Sequence, residues 1–112
     1  MTYNDIYLQA LTYTGETADS TVVSDYNARA DYLFPGVLAR LSSTAKSLGT
    51  SLTPPSAAKI EKTDTFPLSD ALAPVAAMYL ASLLVAAEYP DLSTRLITIA
   101  DAALSGVLPT GQ

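Results

Sequence analysis

Asp70-Ala71-Leu72-Ala73-Pro74-Val75-Ala76-Ala77-Met78-Tyr79-Leu80-Ala81-Ser82-Leu83-Leu84-Val85-Ala86-Ala87-Glu88 is the stretch on which the fold turns. Between its two acidic ends, Ala71 to Ala87 carries no charge. Pro74 falls in the first turn of a helix, where a missing amide costs little. A membrane span needs about 20 apolar residues. This run is shorter, rich in alanine and without flanking Lys or Arg anchors. It is expected to be a central helix buried among others, and alanine lets its neighbours approach closely.

Downstream, Tyr89-Pro90 breaks the helix and Asp91 suits the cap of another. Leu92, Leu96, Ile99 and Ala103 follow helical spacing, and Ile97, Ala100 and Leu104 widen the stripe. So short a break predicts a helical hairpin. Ser105-Gly106 reads as the stop, and residues 107–112 as a flexible tail.

Upstream, Val22, Tyr26, Ala30, Leu33, Val37 and Leu41 keep helical phase from about Ser20 or Thr21 to Leu48. Pro35 interrupts this stripe and removes the hydrogen bond to the carbonyl four residues back, that of Asp31, at a cost of roughly 3 kcal/mol. Because the phase survives, one kinked helix is expected. A first helix, Tyr3 to Thr12, is marked by Tyr3, Tyr7 and Leu11 with Ile6 and Ala10. Thr2 or Asn4 would cap it, Asp5 suits its positive end, and Gly15 would end it. Residues 44–67, with Gly49, Pro54-Pro55 and the loosely alternating Lys59 to Phe66, predict an extended arm or hairpin between helices 2 and 3. A connection this long is unusual in a compact domain and is where a partner-touching arm is expected. The reading is a single all-α domain, 1–112, of about four helices.

Composition narrows the function. Hydrophobic residues make up 49% and charged residues 15% of the 112, the reverse of a disordered chain. Some of that apolar excess is expected to meet a partner rather than water. Six basic residues against eleven acidic ones give a net charge of −5, which argues against a nucleic-acid reader that must neutralise phosphates. The chain has neither cysteine nor histidine, so disulfides, thiol chemistry and Cys/His zinc sites are excluded. The residues following Met1 lack the basic and apolar regions of a signal peptide, so synthesis in the cytosol is expected.

No enzyme is expected. Catalysis at neutral pH would need a base other than histidine. The serines form no nucleophile elbow, and the glycines are scattered singly rather than set in a phosphate loop. Asp25 with Asp31, and Asp64 with Asp70, are each six residues apart and share no helical face, so surface or capping roles are expected. No cofactor and no metal is implied. Tyrosine combines a rigid ring with a polar handle and suits interfaces. Tyr3, Tyr7, Tyr26 and Tyr79 lie on core stripes, which leaves Tyr13, Tyr32 and Tyr89 as interface candidates, joined by Leu52, Ile60 and Phe66 of the arm.

Two blocks carry a likeness. The first is Asp25-Tyr26-Asn27-Ala28-Arg29-Ala30, continuing to Phe34-Pro35-Gly36-Val37-Leu38-Ala39-Arg40-Leu41. The second is Phe66-Pro67-Leu68-Ser69-Asp70-Ala71-Leu72, then Val75 to Ala87, then Glu88-Tyr89-Pro90-Asp91-Leu92. Together they resemble the small head-to-tail connector, or head-completion, proteins of long-tailed phages and prophages. The last helix departs from that pattern, with Thr94, Thr98 and Ala102 where charged residues are often seen. The resemblance implies a mainly helical structural protein that forms a homo-oligomeric ring and docks to portal or tail-completion proteins. It also implies assembly in the cytoplasm of a bacterial host and a final place in the virion, with no sequence-specific DNA recognition and no membrane association. Two alternatives stand beside it. One is a membrane-active, holin-like phage protein using Ala71 to Ala87. The other is a small acidic inhibitor or regulator that binds one host protein.

Overall fold

Thr2 sets the start of the first helix. Its side chain accepts the amide of Asp5, and the Asp5 carboxylate accepts the Thr2 amide at 2.9 Å, a reciprocal capping box. Hydrogen bonds from the Thr2 amide, and then from its hydroxyl, hold the Asp5 carboxyl below its ordinary range. The computed structural model describes residues 1–15, 23–52 and 59–107. Within them α1 spans Tyr3–Thr14, α2 Val23–Ser47, α3 Ala73–Val85 and α4 Pro90–Val107. Gly15 closes α1 in the left-handed region at φ 79°, the conformation glycine adopts without a Cβ penalty.

The chain is all-α, with about four helices, and among the described residues α1, α2 and α4 pack around α3. Ten of the 13 residues of α3 are buried: Ala73, Val75, Ala76, Ala77, Tyr79, Leu80, Ala81, Ser82, Leu84 and Val85. A helix apolar on every side has to be enclosed. Here α4 covers it most extensively, with α1 and α2 on its other flanks. Ser69 starts this region by accepting the Ala71 amide at 3.2 Å into a short 3-10 turn, Asp70–Leu72. Buried Ser93 then donates to the Ser82 carbonyl at 2.8 Å and fastens α4 to α3.

Helix α2 runs unbroken through Pro35, and the way it does so explains the connection that follows. Pro35 has no N–H, so the Asp31 carbonyl lacks its helical donor. The Ile60 amide takes that carbonyl at 2.9 Å. Beyond Ile60 the chain lies across the start of α1. Tyr3 N–H donates to the Asp64 carbonyl at 3.0 Å, Asn4 N–H to that of Lys62 at 2.9 Å, and Phe66 N–H to that of Met1 at 2.9 Å. Two amides that a helix start leaves orphaned are thereby satisfied by chain from far along the sequence, and Thr2 and Thr65 form an antiparallel bridge.

The extended arm expected at 44–67 is shorter than that range, and its described part is docked rather than projecting. Residues 44–47 are the last turn of α2, residues 53–58 lie outside the described residues, and 59–66 form a strap docked on the body. The alternation in the sequence was real, but its apolar members turn inward. Ile60 and Phe66 are each 5% exposed, and Phe66 packs edge-on against Tyr3 with ring centres 5.7 Å apart. At the far end, α4 continues through Ser105-Gly106 to Val107. Val107 therefore belongs to a helix, and 108–112, the remainder of the expected tail, lie outside the described residues.

Candidate docking surface

Along one face of α2 the sequence places Arg29, Gly36, Val37 and Arg40 at helical spacing. This face meets the second half of α3 and the middle of α4. The three helices leave a groove of about 240 Å³, lined by Gly36, Val37, Tyr79, Ser82, Leu83 and Ile97 with Arg40 at its edge. Small-molecule pockets run to roughly 300–1,000 Å³. The groove is better matched to a side chain or two than to a cofactor.

Gly36 gives the groove its floor. A glycine inside a helix costs about 1 kcal/mol relative to alanine. A Cβ added at Gly36 would meet nothing within 4 Å, so no neighbour in the chain requires its absence. The position is open towards the hollow that it lines.

Charged groups stand at both ends. Arg40 donates through Nη2 to both carboxylate oxygens of Asp101, at 3.0 and 3.4 Å, and its guanidinium lies 5.6 Å from the Tyr79 ring centre. The Tyr79 hydroxyl donates to Asp101 as well. Burial first, and then this hydrogen bond, push the Tyr79 pKa up. At the other end Arg29 donates to the carbonyls of Leu83 and Leu84 at 3.4 Å and pairs with Asp25 at 3.3 Å. The carbonyl end of α3 is thus met by a cation, as its dipole favours. Both ion pairs are open to solvent, with arginine side chains 40% and 47% exposed. Pairs of this kind are worth about 0–1 kcal/mol and exchange partners readily.

The residues singled out from sequence fall in different places. Tyr89, 52% exposed, sits on the turn between α3 and α4. Tyr32 is the most exposed aromatic at 63%, and the Lys59 ammonium lies 5.4 Å from its ring centre. Tyr13 and Leu52 are half-buried against the core. Leu52 also lines a second hollow with Leu68, Leu72 and Val107. Ile60 and Phe66 are core residues and are withdrawn as interface candidates. Sequence reasoning missed the groove. Two signals pointed to it: Gly36, a glycine inside a sustained helical stripe, and Asp101, the one charged residue from Leu96 to the end of the sequence.

Asp31 has a structural role. Asp31 pairs with Lys62 at 2.6 Å, both side chains about 15% exposed (15% for Lys62, 16% for Asp31). Lys62 also donates to the Asn27 carbonyl at 2.6 Å. Among the described residues no group of three or more carboxylates is placed to hold a metal ion. Comparison of the chain with protein-family models, with curated proteins and with solved structures finds no match.

Proposed function

We propose that this chain is a non-enzymatic adaptor of the head-to-tail connector kind, acting by oligomerisation and by docking to portal or tail-completion proteins. One observation carries the reading. The two sequence blocks that resemble connector proteins are neighbours in space, and both contribute to the groove. Gly36, Val37 and Arg40 come from the first block, and Tyr79, Ser82 and Leu83 from the second. Features shared at a solvent-facing hollow, rather than only in a core, are what a docking protein needs.

The holin-like alternative draws no support from helix dimensions. At about 1.5 Å per residue, the 13 residues of α3 extend roughly 20 Å, short of the ~30 Å hydrocarbon core. No helix among the described residues is long and apolar enough to cross a membrane.

The test is co-expression with portal and tail-completion proteins encoded beside it, followed by affinity capture. Capture of one of them is expected, weakened when the groove is filled by Gly36→Leu. Failure to bind any of them, with host lysis on expression of the chain alone, would reject the connector reading.

A further inference from the structure

We infer that the groove between α2, α3 and α4 receives the α3–α4 turn of a second copy of this chain, with Tyr89 as the inserted side chain. The inference rests on the reading of this face as a docking surface and names its occupant. Charge complementarity carries it. The groove is mostly apolar, with Arg40 at one end and, at the other, Arg29 hydrogen-bonded to the carbonyl of the lining residue Leu83; these are two of six basic residues in a chain of net charge −5. Each arginine is held in place by the protein, Arg29 by the Leu83 and Leu84 carbonyls and Arg40 by the Tyr79 ring, while its carboxylate partner, Asp25 or Asp101, stands in a solvent-exposed pair that a new carboxylate can replace.

The turn supplies the matching set. Residues 86 to 91 are all exposed, and Tyr89 stands 52% open between Glu88 and Asp91. Neither of these carboxylates enters an ion pair among the described residues. An exposed aromatic bracketed by unpaired acids fits an apolar hollow bracketed by cations. A tyrosine ring also loses little freedom on docking, and its hydroxyl keeps a polar outlet.

The absence of native cysteine makes a clean test. Full-length Tyr89→Cys and Gly36→Cys chains are mixed and oxidised mildly, with Leu8→Cys plus Gly36→Cys as the control pair. The Tyr89/Gly36 pair is expected to form the mixed disulfide about tenfold faster than the control, as proximity raises effective concentration. Light scattering of the unmodified chain is expected to show a species above monomer mass that Tyr89→Ser and Gly36→Leu abolish, with helical circular dichroism unchanged. A monomer at every concentration, or cross-linking no faster than the control, overturns the inference. If capture of a portal or tail protein persists in that case, the adaptor reading stands without it. If cross-linking succeeds while no such protein binds, self-docking stands and the adaptor reading falls.

Discussion

Lys62 shows how much one side chain contributes to holding the strap. Its ammonium touches the Asp31 carboxylate, the Asn27 carbonyl and the face of Tyr7, whose ring centre is 5.2 Å away. Removing one member of a nearly buried pair strands the other. Lys62→Met is expected to cost about 2 kcal/mol in urea unfolding, with part regained in Lys62→Met/Asp31→Asn, where no charge is left behind. Tyr3 gives a pH signature. Burial, and then the nearby charge of Asp64, raise its pKa from 10.0 to about 12. The unfolded chain ionises first, so the associated stability is complete below pH 10 and is lost as pH climbs through 12. The loss is on the order of 2 kcal/mol. Alkaline unfolding followed by tyrosinate absorbance and circular dichroism checks it, and a transition finished below pH 10 contradicts it. Neither role was legible in the sequence. Lys62 read as an arm residue, because nothing near it in the chain announces Asn27 or Asp31 as partners.

Helices α2 and α3 illustrate opposite kinds of tolerance. Gly36 faces open space on α2, so Gly36→Ala is expected to raise stability by roughly 0.5–1 kcal/mol, seen as a higher Tm. Ala77, fully buried on α3, has no such room. Ala77→Leu is expected to lower stability by about 2–3 kcal/mol through overpacking; a neutral result would mean that α3 is less tightly enclosed than described. The burial of α3 was legible because a helix without charges on any side has only two homes, and this one is too short for a bilayer. That α2 continues through Pro35 as one helix was legible too, since the apolar stripe keeps its phase across the proline. The strap was not. The carbonyl that Pro35 frees finds its donor at Ile60, and such a partnership leaves no periodicity to read. The groove was hidden for a related reason: a hollow is defined by three helices at once, and sequence spacing reports one at a time.

The whole molecule measures 47 × 29 × 20 Å, with α3 as the helix that the other three cover most extensively. A fragment comprising residues 1–52 is therefore expected to show little helical circular dichroism, although it contains α1 and α2. Without α3 and the strap, the 12-residue α1 is near the length at which isolated helices are marginal in water. A stably helical fragment would contradict the central role of α3. The strap also bears on the ribosome. The amides of Tyr3 and Asn4 are among the first made, yet their acceptors, the carbonyls of Asp64 and Lys62, are translated some sixty residues later. Tyr3 can meet Phe34, and Tyr7 the Val23 carbonyl, once α2 has emerged, but the larger partner of both helices is α3, so folding is held back to the closing stage of translation. A pause placed after the codon for Ser51 would prolong the interval in which Tyr3, Ile6 and Phe34 are open to chaperones and proteases.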